Sequence, residues 1–95
     1  MKVRFTALAR RDVGARTTYL LERNVEAAAM FREDLDRAMR LLAAQPKAGR
    51  LVQLRGLKRP VRRWSLPPMV IYFAEQDGDL IVYRVRHSSR QPIER

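Results

Sequence analysis

The sequence predicts an α+β fold in which a short N-terminal strand and a helical hairpin precede a three-stranded antiparallel meander. Apolar residues recur at three- and four-residue steps between positions 25 and 44, as in an amphipathic helix. Three runs rich in β-branched and aromatic residues follow position 60, and Asp77-Gly78, a strong hairpin turn signal, separates the last two. No flexible linker divides the 95 residues, so we expect a single domain over residues 1–95.

The N-terminal segment predicts a strand followed directly by a helix. Residues 2–5 alternate polar and apolar side chains, as a half-buried strand does. Thr6 is a favourable N-cap residue for a first helix at about Ala7–Arg23. Gly14 lies in the middle of that helix and weakens it by roughly 1 kcal/mol.

Asn24 predicts the junction between the two helices. It ends the first helix, and its side chain can accept a hydrogen bond from an early backbone N–H of the second helix, which we place at about Val25–Ala44. The mixed charges on the rest of this helix indicate a solvated face. The residues predicted to face the core are Ala28, Phe31, Leu35, Ala38 and Leu42.

The second half of the chain predicts a basic loop, three strands and a polar tail. Residues 45–49 end the second helix and open a loop that reaches about Lys58. Pro67-Pro68 predicts a kink or an edge position between the first two strands, and the tail Ser88–Arg95 is expected to be loose or to fold on binding. The predicted strands are Val61–Leu66, Met69–Glu75 and Leu80–His87.

Positive charge dominates the composition. Twenty Lys and Arg face ten Asp and Glu, and the resulting formal charge of +10 causes self-repulsion in so small a body. This excess predicts an anionic partner, the alternative being a basic surface that serves only solubility. No acid lies between Asp36 and Glu75, whereas that interval contains Arg37, Arg40, Lys47, Arg50, Arg55, Lys58, Arg59, Arg62 and Arg63.

The composition also argues against several classes of protein. Without cysteine the chain forms neither a disulfide framework nor a thiolate metal site, and the single His87 does not supply a zinc cluster. Residues 1–5 lead into a charged helical pattern without the apolar stretch of a signal peptide or membrane span. We therefore expect a cytoplasmic protein with no membrane association, no metal and no cofactor.

The strand pattern predicts where the basic side chains of the sheet point. Alternation places Arg62 and Trp64 on one face, and places Arg84 and Arg86 on the side of Val82. An open face carrying all three arginines would be strongly cationic, with Trp64 as a stacking group unless it packs in the core. The candidate partner-binding residues are Arg50, Arg55, Lys58, Arg59, Arg62, Trp64, Arg84, Arg86 and Arg90.

No catalytic motif is present in the sequence. Metal-ligand spacings, a glycine-rich phosphate loop and a nucleophile elbow are all missing. Metal-free RNA cleavage would need a general base, a general acid and cationic stabilisation of the transition state. The acid–base candidates are His87, Tyr83 and Tyr72, and the cationic candidates are Arg62 and Arg84. A lone histidine at a strand end is more typical of a packing or hydrogen-bonding residue, so we do not predict an enzyme.

The order of these elements and several short motifs resemble the ParE branch of the ParE/RelE toxins of bacterial type II toxin-antitoxin systems. The likeness covers nearly the whole chain. The matching pieces are Glu22-Arg23-Asn24 with Ala27-Ala28-Ala29, Pro46 followed by Gly49-Arg50, Arg62 two residues before an aromatic residue, and Arg84-Val85-x-His87-x-x-Arg90.

The resemblance implies a toxin that is neutralised in a hetero-oligomer by an antitoxin with an acidic C-terminal segment. ParE-like members poison DNA gyrase, whereas RelE-like members cleave mRNA on the ribosome. Met69 and Phe73 stand where the family usually has tyrosines, and Gln91 where an aspartate is common. Because hydroxyl groups are missing there, the departures favour gyrase over ribosome-dependent cleavage, with a plain nucleic-acid-binding module as a further alternative.

Overall fold

The chain folds into two helices and one mixed β-sheet. The computed structural model describes residues 1–95. The sheet order is β1-β5-β4-β3-β2, with β1 parallel to β5 and all other neighbours antiparallel. The predicted α+β fold is confirmed, with one strand more than expected. The elements are β1 (Val3–Phe5), α1 (Ala7–Leu21), α2 (Val25–Ala44), β2 (Arg50–Val52), β3 (Val61–Leu66), β4 (Met69–Gln76) and β5 (Asp79–His87).

The additional strand, β2, lies in the segment predicted to be a loop, and that prediction is wrong for Arg50–Val52. These residues pair antiparallel with β3. Gly49 precedes them with a φ of 83°, and a Cβ at this position would lie 2.3 Å from the carbonyl oxygen of Arg63. Three residues are too few to show a strand period, so tertiary pairing rather than local pattern determines this element.

Both helices begin at the predicted caps. The Thr6 hydroxyl accepts a hydrogen bond from the Ala9 N–H at 3.1 Å, and Asn24 accepts from the N–H groups of Glu26 and Ala27. Helix α2 has the predicted bounds and buries all its predicted core residues, whereas α1 ends at Leu21 rather than Arg23 and buries only Ala9. Neither helix is long and apolar enough to cross a membrane.

The hairpin between β4 and β5 has the turn that its sequence predicts. Asp77 has a φ of 53° and Gly78 a φ of 82°. Positive φ at both central residues is the type I′ geometry that matches the twist of the flanking strands. Between β3 and β4 the chain turns at Pro67 and Pro68, which are joined by a cis peptide bond.

The sheet has an apolar cluster on each face. The main core lies between the helices and the sheet and includes Phe31, Leu42 and Phe73. A smaller cluster on the opposite face is formed by Leu54, Val61, Val70 and Tyr72, and Val52, Leu57 and Ile93 pack against it. The face opposite the helices is therefore partly covered by the β2–β3 connection and the tail.

A β-bulge changes the direction of the side chains in β5. Tyr72 pairs with Arg84 whereas Phe73 pairs with Val82, so Tyr83 is an extra residue on β5. Val82 and Val85 consequently both belong to the main core. The strict alternation predicted for β5, which placed Arg86 on the side of Val82, is wrong beyond Tyr83 because a bulge shifts the pleat by one residue.

Candidate functional site

A groove between α1 and the C-terminal end of β5 brings together more of the predicted site residues than any other surface. Arg84, Arg86, His87 and Arg90 all line it. Helix α1 adds two cations that were not among the predicted site residues, Arg11 and Arg16, and the apolar lining is Leu8, Ala15, Tyr19, Met69 and Val85.

Within the groove, the Asp12 carboxylate fixes the position of the Arg84 guanidinium. The Asp12 carboxylate accepts hydrogen bonds from Arg84 Nε at 2.8 Å and from Arg84 Nη2 at 3.0 Å, and also from the Val85 N–H at 3.0 Å. These hydrogen bonds raise the pKa of Arg84. Arg84 therefore serves first to fasten α1 to β5, at the point where β5 extends beyond β1.

Other groove cations have no acidic partner within the chain. The Arg16 Nε is buried and has no hydrogen-bond partner, while its guanidinium lies 5.2 Å from the centre of the Tyr19 ring. Arg11 and Arg90 take part in no intrachain salt bridge. Positive charge that no acid of the chain balances favours an anionic ligand in this part of the groove.

The sequence analysis did not predict the groove, because it assigned α1 to the helical hairpin and named none of its side chains as candidate site residues. Leu8, Asp12, Ala15 and Tyr19 follow one another at four-, three- and four-residue steps, which places them on one face of α1. Leu8 is 50% exposed and Tyr19 is 45% exposed. An apolar stripe interrupted by one acid on an otherwise basic helix was the available signal.

His87 lines the groove and contacts the turn that follows β5. The Ser89 N–H donates to His87 Nδ1 at 3.1 Å, and the Ser89 hydroxyl lies 2.7 Å from the same nitrogen. The His87 ring therefore shapes the turn after β5 through its contacts with Ser89.

The structure separates three of the residues considered for RNA cleavage. Arg62 pairs with Phe73, which in turn pairs with Val82, whereas His87 pairs with Met69 at the other end of β4. Four residues along the sheet and two strand spacings across it put the Arg62 and His87 backbones roughly 16 Å apart. Arg84, the third of these, is bound to Asp12.

Arg62 and Trp64 lie on the helix-covered face of the sheet. Their partners across β3 and β4 are Phe73 and Ile71, both in the main core, and directly paired residues share a face. Trp64 packs against that core, and Arg62 Nη1 donates to the Gly49 carbonyl at 3.2 Å. The expected open face carrying Arg62, Arg84 and Arg86 is therefore wrong.

The remaining predicted cations lie around the β2–β3 connection. Arg55, Lys58 and Arg59 are exposed in this segment. Arg50, on β2, is 3.8 Å from a carboxylate oxygen of Glu94, a tail residue that also contacts Arg63. The predicted site residues thus form separate groups. One lies in the α1–β5 groove, and another, Lys58 and Arg59, lies in a second cleft whose lining includes Leu57 and Val61.

Comparison with known proteins gives the fold and the family. The structure is similar to a solved chain described as the chromosomal ParDE toxin-antitoxin system from P. aeruginosa, with a TM-score of 0.68 and 22% sequence identity over 92% of this chain and 95% of that one. No curated protein matches the sequence. The model of the family described as the ParE toxin of type II toxin-antitoxin system, parDE, matches residues 3–92. The chain therefore belongs to the ParE family of type II toxin-antitoxin toxins.

Proposed function

We propose that the chain is a cytoplasmic, non-enzymatic toxin that inhibits DNA gyrase, and that an antitoxin neutralises it by laying an acidic segment in the α1–β5 groove. The family match supports the toxin class, and the similar solved chain comes from a system that pairs such a toxin with an antitoxin. The observation that carries the binding site is a groove lined by Arg11, Arg16 and Arg90, none of which forms a salt bridge within the chain.

The groove suits an amphipathic acidic segment of the antitoxin. Leu8 and Tyr19 offer exposed apolar surface, and the guanidinium groups of Arg11, Arg16 and Arg90 lie around it. Planar guanidinium groups bind carboxylates in bidentate geometry, and apolar side chains of the same segment would cover the exposed stripe. A partner of this kind neutralises charge and covers apolar surface in one contact.

Gyrase is the proposed target because the candidate nuclease residues do not assemble. Arg62 lies on the helix-covered face, Arg84 is bound to Asp12, and His87 accepts at Nδ1. Positioned acid-base groups must lie within hydrogen-bond reach of the reacting atoms, and this arrangement does not bring them there. The basic surface and the tail then act by binding rather than by chemistry.

The target is tested with purified protein in two parallel assays. We expect the full chain to inhibit supercoiling by gyrase, and the cognate antitoxin to restore it. A second assay follows cleavage of ribosome-bound mRNA, which the full chain and a His87→Gln variant should both leave intact. Untouched supercoiling together with mRNA cleavage that His87→Gln abolishes would establish the ribosomal alternative instead.

The binding site is tested by charge reversal on α1. Arg16→Glu places a carboxylate where the antitoxin's acidic segment is proposed to lie, and we expect antitoxin affinity to fall by at least about a hundredfold, as for a desolvated charge contact at an interface. Arg10→Glu makes the same change on the same helix outside the groove and should leave the affinity within about threefold. Equal effects of the two substitutions would contradict the proposed site.

A further inference from the structure

The C-terminal tail folds back over the sheet face opposite the helices. The Arg55 N–H donates to the Ile93 carbonyl at 2.8 Å, and the Arg95 N–H donates to the Gln53 carbonyl at 2.7 Å. Leu54 and Glu94 form an antiparallel bridge between these two bonds. The tail, expected from sequence to be loose or to fold on binding, is therefore ordered within the chain, and this pairing places Glu94 over the sheet.

Three strands supply donors to the Glu94 carboxylate. The hydroxyl of Tyr72, on β4, donates to Oε2 at 2.7 Å. Arg63 Nε, on β3, is 3.5 Å from the same oxygen, and Arg50 Nη2, on β2, is 3.8 Å from Oε1. Three donor-bearing residues from three strands thus converge on a single acid.

The carboxylate satisfies only one of these donors. The Tyr72 distance is that of a strong hydrogen bond to an anion, but N–H···O hydrogen bonds are about 2.7–3.2 Å long and both guanidinium distances exceed this range. Arg50 and Arg63 are therefore attracted to Glu94 without being hydrogen-bonded to it. Two oxygens on a short side chain do not reach three donors that converge from three strands.

A tetrahedral oxyanion matches the arrangement better than a carboxylate does. Phosphate offers up to four oxygens in different directions, and guanidinium groups bind it through paired N–H donors. We propose that Arg50, Arg63 and Tyr72 form a phosphate-binding site and that Glu94 occupies it as an internal plug in the free chain. The site lies on the sheet face opposite the main core and is separate from the α1–β5 groove, so it does not depend on the proposed antitoxin contact.

Removing the negative charge of Glu94 should strengthen phosphate binding. Glu94→Gln removes the charge that competes for the guanidinium groups, and affinity for a ligand is reduced in proportion to the fraction of molecules whose site is closed. We expect the full-length Glu94→Gln variant to bind inorganic phosphate on the order of tenfold more tightly than the unchanged chain in calorimetric titrations.

Two matched variants separate the site from general charge effects. Glu33→Gln makes the same charge change on α2, at an exposed acid that takes part in no salt bridge, and should leave phosphate affinity unchanged. Adding Arg63→Gln to Glu94→Gln should abolish the gain. Equal gains from Glu94→Gln and Glu33→Gln, or a gain that survives Arg63→Gln, would overturn the proposal.

A second ligand identifies the source of the phosphate. The same variants are titrated with a short single-stranded oligonucleotide at low ionic strength. A gain for Glu94→Gln that depends on Arg63 with both ligands supports the site and assigns it to nucleic-acid phosphodiesters. A gain with inorganic phosphate alone supports the site and assigns it to a free anion.

Discussion

Two contacts between arginine and a carboxylate differ in their geometry. The difference separates a tightly hydrogen-bonded salt bridge from one that a ligand can displace. Asp12 and Arg84 meet through hydrogen bonds of 2.8 and 3.0 Å, and the Val85 N–H completes the contact. Glu94 lies 3.5 Å from Arg63 and 3.8 Å from Arg50. The chemical groups are the same, but only the first contact satisfies its donors.

The two carboxylates differ in what holds them. Asp12 projects from α1, a fifteen-residue helix that packs against β5, and its side chain is only 16% exposed. Glu94 lies in the segment after β5, which is held by the two backbone hydrogen bonds of its bridge with Leu54, by the packing of Ile93 and by a hydrogen bond from Arg86 to the Gln91 carbonyl. The segment that carries Glu94 belongs to no helix or strand, whereas Asp12 belongs to a helix of fifteen residues, so we expect the Glu94 contact to open at lower free energy.

The largest expected effect comes from Asp12→Asn. Both Asp12 oxygens accept from N–H groups, and an asparagine retains a single acceptor oxygen, so its amide NH₂ would face a donor. Leaving a partly buried guanidinium without its anion should lower the free energy of unfolding by about 2–3 kcal/mol in urea denaturation.

Asp36→Asn is the matched control for this change. It breaks an exposed helical pair with Arg32, whose side chain is 75% exposed, and such pairs contribute about 0.5 kcal/mol or less. A loss below about 1 kcal/mol for Asp12→Asn would mean that the tight geometry contributes little beyond an exposed pair, and the distinction between the two contacts would fail.

The elements that the sequence predicted correctly are those determined by neighbouring residues. The caps Thr6 and Asn24, the bounds of α2 and the Asp77-Gly78 turn each depend on side chains within a few positions of one another. Local hydrogen bonds and one helical period are sufficient to specify them. This is why the α+β fold followed from pattern alone.

The site was harder to predict because its contacts join distant parts of the chain. The strand pattern alone predicts Arg84 as a free ligand-binding cation, because its partner Asp12 is 72 positions away. The bulge at Tyr83 displaced the predicted faces of β5, and β2 left no periodic signal. The tail's contact with Tyr72 spans 22 positions and depends on pairing that no local pattern indicates.

The loose contact should contribute little to stability. Glu94→Gln keeps an oxygen that can accept from Tyr72 and removes only the attraction to two guanidinium groups outside hydrogen-bond range. We expect the free energy of unfolding to fall by less than about 1 kcal/mol in the same urea experiment. A loss as large as that of Asp12→Asn would show that Glu94 is a structural bond, which would weaken the case for a displaceable plug.

A further prediction concerns the ionisation of Tyr72, which reports on the same contact. Burial, followed by the hydrogen bond to Glu94, raises the pKa of Tyr72 from 10.0 to about 12. The folded state therefore favours the neutral phenol, so its contribution to stability is complete below pH 10 and is lost as the pH rises from 10 to about 12. Ultraviolet absorbance of the phenolate during alkaline titration follows this step, and Tyr72→Phe should remove it.

Glu94→Gln should also change the pKa of Tyr72. Glu94→Gln removes the negative charge that raises the pKa of Tyr72, whereas burial, the largest cause, still raises it and Arg63 and Arg86 still lower it, so we expect the pKa to fall. An unchanged titration would mean that the carboxylate is already displaced in solution, so that the site stands open.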